Sequence, residues 1–136
     1  MSSAAAKRPR PKYLSLSALL FEIRMPASAW VSGFHRISGF LLFLPFTAWL
    51  LYLLDTSLAS EQGFAHVRDD YLGNPLAKLA LLVLGWAFAH HFCAGIRFLL
   101  LDLNKGVDLL KARYSSYAVF AVSLLITLCV GWRLWS

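Results

Sequence analysis

The sequence predicts an all-α integral membrane protein: three transmembrane helices in an up-down-up bundle with an N-terminal interfacial segment. Of its 136 residues, 59% are hydrophobic, and the mean hydropathy is positive. A soluble domain of this length could not bury so much apolar surface. A helix needs about 20 residues to cross a bilayer, and two apolar runs are long enough on their own. The first run, residues 37–54, is long enough if the amphipathic residues before it begin the same helix. Polar segments separate these runs, so the chain is expected to cross the membrane three times.

The N-terminal part is polar in two different ways. Residues 1–12 combine small residues, cations and proline without apolar periodicity, which predicts a basic flexible tail. Residues 13–29 mix leucines with charged side chains and are too polar to span, so we expect a segment along the membrane surface that turns inward at Pro26. The remaining chain, residues 13–136, is then one three-helix membrane anchor domain.

Local signals set the limits of the spans, which are predicted at about residues 27–54, 75–103 and 114–135. Pro45 should distort the first span locally. The acidic loop that follows is expected to carry a short helix at about residues 60–71. Asn74 and Pro75 have the residue types of an N-cap and first helical position, and residues 104–106, Asn-Lys-Gly, end the second span.

The cations are unevenly distributed among the flanks of the spans. Of 13 Lys and Arg residues, six lie in the N-terminal flank, two in the first loop, four around the second loop and one at the C-terminal end. This bias places the N-terminus and the second loop on the cytoplasmic side. The positive charges flank apolar spans, so membrane lipid is an expected partner and nucleic acid is not. A basic start this short does not favour an organelle transit peptide, so a bacterial inner membrane is expected rather than a mitochondrial one.

The second span carries ionisable residues inside an apolar run: His90, His91, Arg97 and Asp102. Such groups are costly in hydrocarbon and mark a functional site. A neutral imidazole can ligate haem iron there, and Gly95, on the same helix face as His91, would leave a gap for a flat ligand. Arg97 nearly shares a face with His90 and lies roughly 10 Å nearer the inner surface, where it could meet a haem propionate. Alternatively, one histidine bonds to a neighbouring helix and Arg97 simply ends the span.

A second polar cluster lies near the inner end of the first span. Ser28, Ser32 and Arg36 follow each other at fourth positions and share a helix face, with His35 about 100° away. Two hydroxyls and a guanidinium could hold a carbonyl or carboxylate ligand. The alternative is that Arg36 reaches to lipid phosphate while the serines bond to their own helix.

A function of another class is also compatible with these clusters. His35, Arg36, His91 and Arg97 could line a proton or anion path in a small three-helix transporter or channel subunit. A haem absorption band in the purified protein would distinguish a cytochrome from such a transporter.

Two segments resemble signatures of a known family, the cytochrome b556 subunit of succinate dehydrogenase. Residues 24–39 contain Ser-x-x-His-Arg-x-x-Gly from Ser32 to Gly39, and residues 91–97 read His-x-x-x-Gly-Ile-Arg, followed by Asp102. Together with the three-span plan, the resemblance covers nearly the whole chain. One departure is Phe98, because many relatives have a histidine at this position.

The resemblance implies a membrane-anchoring subunit of complex II that carries electrons from succinate to quinone and is not catalytic alone. It implies haem b and ubiquinone, and three partners: a flavoprotein subunit, an iron-sulfur subunit and a second small membrane anchor. Ser32 and Arg36 match quinone-binding residues. His91 matches the haem axial ligand, with the other axial histidine supplied by the second anchor, and His35 and Arg36 match residues near the propionates. His90 is an extra candidate, but adjacent positions point about 100° apart, so one helix face cannot use both.

Overall fold

The computed structural model describes residues 15–136, so the predicted basic tail at residues 1–12 lies outside the described residues. Within residues 15–136 every regular element is helical, and three helices are long and apolar enough to cross a membrane. A short helical turn at Ala18–Glu22 precedes them, and Pro26 then leads into the first span. The predicted all-α, three-span class is confirmed.

The first span covers Ala27–Ala59, and its regular α-helical geometry is interrupted at Pro45. The helix widens into a π turn at Leu42–Phe46 and then resumes the α form. Proline has no N–H, and its ring crowds the carbonyl one turn earlier, so a widened turn relieves the clash. The Thr47 hydroxyl donates to the carbonyl of Leu42 within this turn. The predicted local distortion at Pro45 is confirmed.

The loop between the first and second spans is largely helical. Helical turns occupy Glu61–His66 and Val67–Tyr71, close to the predicted short helix. The hydroxyl of Ser60 accepts a hydrogen bond from the Gly63 N–H at 3.0 Å and so caps the first of them. The loop ends at Asn74, whose side-chain oxygen accepts from the Leu76 N–H at 2.8 Å, as expected of an N-cap.

The second span covers Pro75–Asp102 and the third Leu109–Trp135. Between them Asn104 and Gly106 adopt positive φ values of 56° and 75°, a left-handed conformation that stops a helix. The third helix begins at Leu109, before the predicted start at residue 114, because residues 109–113, Leu-Leu-Lys-Ala-Arg, are already helical.

The second span packs against both of the others, and the three meet in a small core. Val31, Ala94 and Val119 contribute one buried side chain from each span. Many large apolar side chains lie outside this core: Phe43 is 77% exposed and Leu124 56%. Such a surface requires lipid or other subunits around the bundle.

Candidate functional site

The imidazole of His91 is held by the first span through one ring nitrogen. Its Nδ1 lies 3.1 Å from the carbonyl oxygen of His35 and 3.3 Å from Oγ of Ser38. The Ser38 hydroxyl donates its only hydrogen to the same His35 carbonyl, at 3.0 Å. Both neighbours of Nδ1 are therefore acceptors, so Nδ1 must carry the proton, and Nε2 keeps its lone pair.

A glycine of the first span makes room for the His91 ring. A Cβ at Gly39 would lie only 2.9 Å from Cε1 and 3.3 Å from Nδ1 of His91, closer than side chains approach each other. Any larger residue would displace the imidazole. Gly95, expected to leave a gap beside His91, instead faces His35, whose Nε2 lies 3.8 Å from the position of a Cβ there.

His35 and His91 form a parallel pair across the first two spans. Their ring centroids are 4.0 Å apart and the planes differ by 9°. Both residues are half-buried, so the pair lies at the seam between the helices with part of its surface open. The structure thus brings together the two histidines that the sequence placed in separate clusters.

His90, the adjacent candidate, is enclosed by this chain itself. It is fully buried, with ring centroids 5.6 Å from Trp86, 5.9 Å from Phe34 and 5.5 Å from Phe120. Neither ring nitrogen has a hydrogen-bond partner in residues 15–136. A large flat ligand could reach these nitrogens only if the bundle opened. The geometry therefore favours His91 over His90 as a ligand.

Arg97 lies on the side of the second span that faces the third. Its guanidinium donates from Nε to Oγ of Ser115 at 3.0 Å and from Nη2 to the carbonyl of Ala112 at 3.3 Å. The residue is only 6% exposed. Phe98 contacts both this guanidinium and the ring of His35, whereas the hydrogen bonds of Arg97 go to the third span and not to His35 or His91.

Ser32 and Arg36 lie on the regular α-helical part of the first span, Ala27–Leu41, so the predicted shared face with Ser28 is present. Ser32 is half-buried and Arg36 is exposed. At the same end of the bundle, Ser28 lines a pocket of about 180 Å³ with Arg113 of the third span. Hydroxyl and cationic donors therefore occur together at this end of the bundle.

Three residues with clear contacts in the site were not assigned a role from the sequence: Ser38, Phe98 and Ser115. Ser38 lies within the His-Arg-x-x-Gly segment, one helical turn after His35. This spacing from His35 could have indicated that Ser38 belongs to the site. In the sequence, Phe98 differs from the histidine of many relatives, but nothing indicated its contacts. Ser115 had no signal at all, because its role depends on how the third span is rotated against Arg97.

These features define a class: a three-span membrane anchor that presents an oriented imidazole at a helix seam. Residues 7–130 match the family described as succinate dehydrogenase/fumarate reductase transmembrane subunit. The chain belongs to this family and is a cytochrome b type membrane anchor of complex II. The transporter or channel alternative is not favoured.

Individual relatives agree with this assignment. A succinate dehydrogenase cytochrome b556 subunit from Coxiella burnetii is 37% identical over 126 residues, which cover 93% of this chain and 97% of the relative. A mitochondrial cytochrome b560 subunit of succinate dehydrogenase from Caenorhabditis briggsae is 32% identical, covering 91% of this chain and 65% of the relative. A cytochrome b556 subunit from Rickettsia felis is 26% identical, covering 90% and 89%. The chain is thus part of an oxidoreductase complex, and the cytochrome names imply haem.

Proposed function

We propose that this chain is the non-flavin anchor subunit of a succinate:quinone oxidoreductase, holds haem b through His91, and helps pass electrons from succinate oxidation to ubiquinone. The observation that carries the proposal is the hydrogen bonding of the His91 ring. With Nδ1 donating to the His35 carbonyl and to Ser38, Nε2 has the free lone pair that an axial ligand needs. The chain supplies binding residues and is not catalytic alone.

The residues near His91 fit a haem in three respects. Nδ1 is bonded to backbone, which fixes the tautomer, Gly39 leaves space for the ring, and the imidazole is only half-buried. When bound, haem supplies a one-electron redox centre, and we propose that the second axial histidine comes from the partner anchor. His35 and Arg36 are proposed to offset the propionate charges. A propionate role for Arg97 stays a prediction, which its contacts with Ser115 and Ala112 do not favour.

We propose that Ser32 and Arg36 bind the ubiquinone head group. A hydroxyl and a guanidinium four residues apart can each donate a hydrogen bond to a carbonyl oxygen of the ring. Their strength as donors rises in a site from which water is excluded. A charged donor also stabilises the negative charge that develops on a quinone oxygen during reduction.

The proposed partners are a flavoprotein subunit, an iron-sulfur subunit and a second small membrane anchor. An exposed apolar surface on the second span supports the last of these: Phe88 and Phe92 stack 6.2 Å apart and are 62% and 59% exposed. We also propose a bacterial inner membrane location with the N-terminus on the cytoplasmic side, supported by the bias in Lys and Arg.

Purification of the whole membrane complex tests this function. The expected result is co-purification with a flavin-containing and an iron-sulfur-containing subunit, together with a reduced b-type absorption band. A colourless assembly without such companions would contradict the proposal. The haem band and the companion subunits are independent readouts, so loss of haem alone would exclude only the His91 assignment.

A further inference from the structure

We propose that a groove between the second and third spans binds the phosphate of an anionic membrane phospholipid. The groove has a volume of about 290 Å³ and is lined by Cys93, Ile96, Arg97, Leu100, Lys105 and Lys111, among others. It lies on the side of the second span that faces the third, away from the seam that holds His35 and His91. The proposal depends on the membrane location and not on the haem or quinone assignments.

The first argument is the buried charge of Arg97. The side chain is 6% exposed, and its hydrogen-bond acceptors are the neutral Ser115 hydroxyl and Ala112 carbonyl. A guanidinium has five N–H donors, so donors remain available. No carboxylate lies within ion-pair distance of Arg97 in residues 15–136, and residues 1–14 contain no Asp or Glu. A buried cation without a countercharge is costly, so an anion in the groove would stabilise it.

The second argument is the charge of the groove. Its lining includes three cations, Arg97, Lys105 and Lys111, and no carboxylate. Asp108 pairs with Lys111 at 2.7 Å, but both side chains are well exposed, so this pair is weak and its lysine can turn to another anion. The groove therefore has a net positive charge that a phosphate complements.

The third argument separates a lipid from a free phosphate. The remaining wall is apolar, and Ile96 and Leu100 are 46% and 47% exposed along it. Arg97 lies five positions before the end of the second span at Asp102, which is about 8 Å of helix. A ligand that reaches Arg97 from the membrane–water interface needs an anionic head group and a hydrocarbon part beside that head group. Basic pockets between transmembrane helices bind anionic lipid head groups in this way.

Native mass spectrometry of the purified complex tests the site. After delipidation, the complex is titrated with phosphatidylglycerol and, separately, with phosphatidylcholine. We expect selective retention of phosphatidylglycerol, and binding about tenfold or more weaker in a Lys105→Gln, Lys111→Gln double variant. The control is Arg113→Gln. Arg113 is an exposed cation on the same helix as Lys111 but lines a different pocket, so this variant should bind phosphatidylglycerol normally. Equal binding of both lipids, or no loss in the double variant, would overturn the proposal.

Two further measurements separate the alternatives. Arg97→Gln should lose the lipid. A shifted haem band with the lipid retained would assign Arg97 to a propionate and overturn the lipid site. Inorganic phosphate at equal concentration should not displace phosphatidylglycerol, because it lacks the hydrocarbon part. Displacement would show a phosphate site and overturn the lipid assignment. The lysine variants test the site independently if Arg97→Gln does not fold.

Discussion

The ring of Phe98 lies edge-on to the imidazole of His35, with the centroids 5.1 Å apart and the planes at 70°. Arg97 also contacts this ring, with its Cζ over the ring and 5.5 Å from the centroid. Phe98 thus contacts both a histidine of the pair and a buried cation. It also belongs to the packed cluster of Val31, Ala94 and Val119 that joins the three spans.

We expect Phe98→Leu to lower the thermal stability of the complex. An aromatic edge contact contributes about 0.5–1.5 kcal/mol beyond its buried area, and the leucine loses this contact together with the cation contact of Arg97. Thermal unfolding followed by circular dichroism measures the change. Phe43→Leu is the control, because Phe43 is 77% exposed and makes no comparable contact with the site. Equal effects of the two substitutions would contradict a specific role for Phe98.

The choice between the adjacent histidines can be tested with two variants. His91→Ala should abolish the reduced b-type band, because it removes the Nε2 lone pair. His90→Phe should keep the band, because the His90 nitrogens have no partner in the described chain and its neighbours are Trp86, Phe34 and Phe120. An absorption spectrum of each purified complex is the measurement. The opposite order would assign the ligand to His90.

The sequence predicted the features that depend on neighbouring residues. Apolar length defined the spans, Pro45 the distorted turn, and Asn74 the cap of the second span. Features that depend on the rotation of one helix against another were missed. The contact of Ser38 with His91 joins residues 53 positions apart, and nothing in either segment fixes that rotation. The same limit left His90 as an alternative to His91, which only the family resemblance favoured before the packing was known.

We expect Gly39→Ala to impair haem binding without removing any polar group. The new Cβ would come within 2.9 Å of His91 Cε1, so the ring must move or the helices must separate. The expected result is a lower haem content per complex, or a shifted b-type band, measured by absorption against protein concentration. Gly33→Ala is the matched control on the same helix, because a Cβ there has nothing within 4 Å. Equal haem loss in both variants would indicate a general effect on the helix.

Ser38→Ala tests the orientation of the imidazole. The variant loses one of the two acceptors of His91 Nδ1 and the hydroxyl bond to the His35 carbonyl, which is the other acceptor. This loss should change the haem midpoint potential, because ligand basicity depends on this bonding. Redox titration of the b-type band measures it. Ser123→Ala is the control, since Ser123 is equally buried but bonds only to Phe120 of its own helix. Both variants should lose about 1 kcal/mol of folding stability, and only Ser38→Ala should shift the haem midpoint potential.

The quinone assignment predicts a split between two activities of the complex. Arg36→Ala should lower ubiquinone reduction by about tenfold or more, because a charge-assisted hydrogen bond contributes roughly 1.5–3 kcal/mol, and Ser32→Ala should lower it by about three- to tenfold. Succinate oxidation with an artificial acceptor should persist, since the flavin and iron-sulfur steps take place in other subunits. Ser57→Ala, near the other end of the same span, is the control. Equal loss of both activities in Arg36→Ala would show that the residue maintains the assembly and does not bind the quinone.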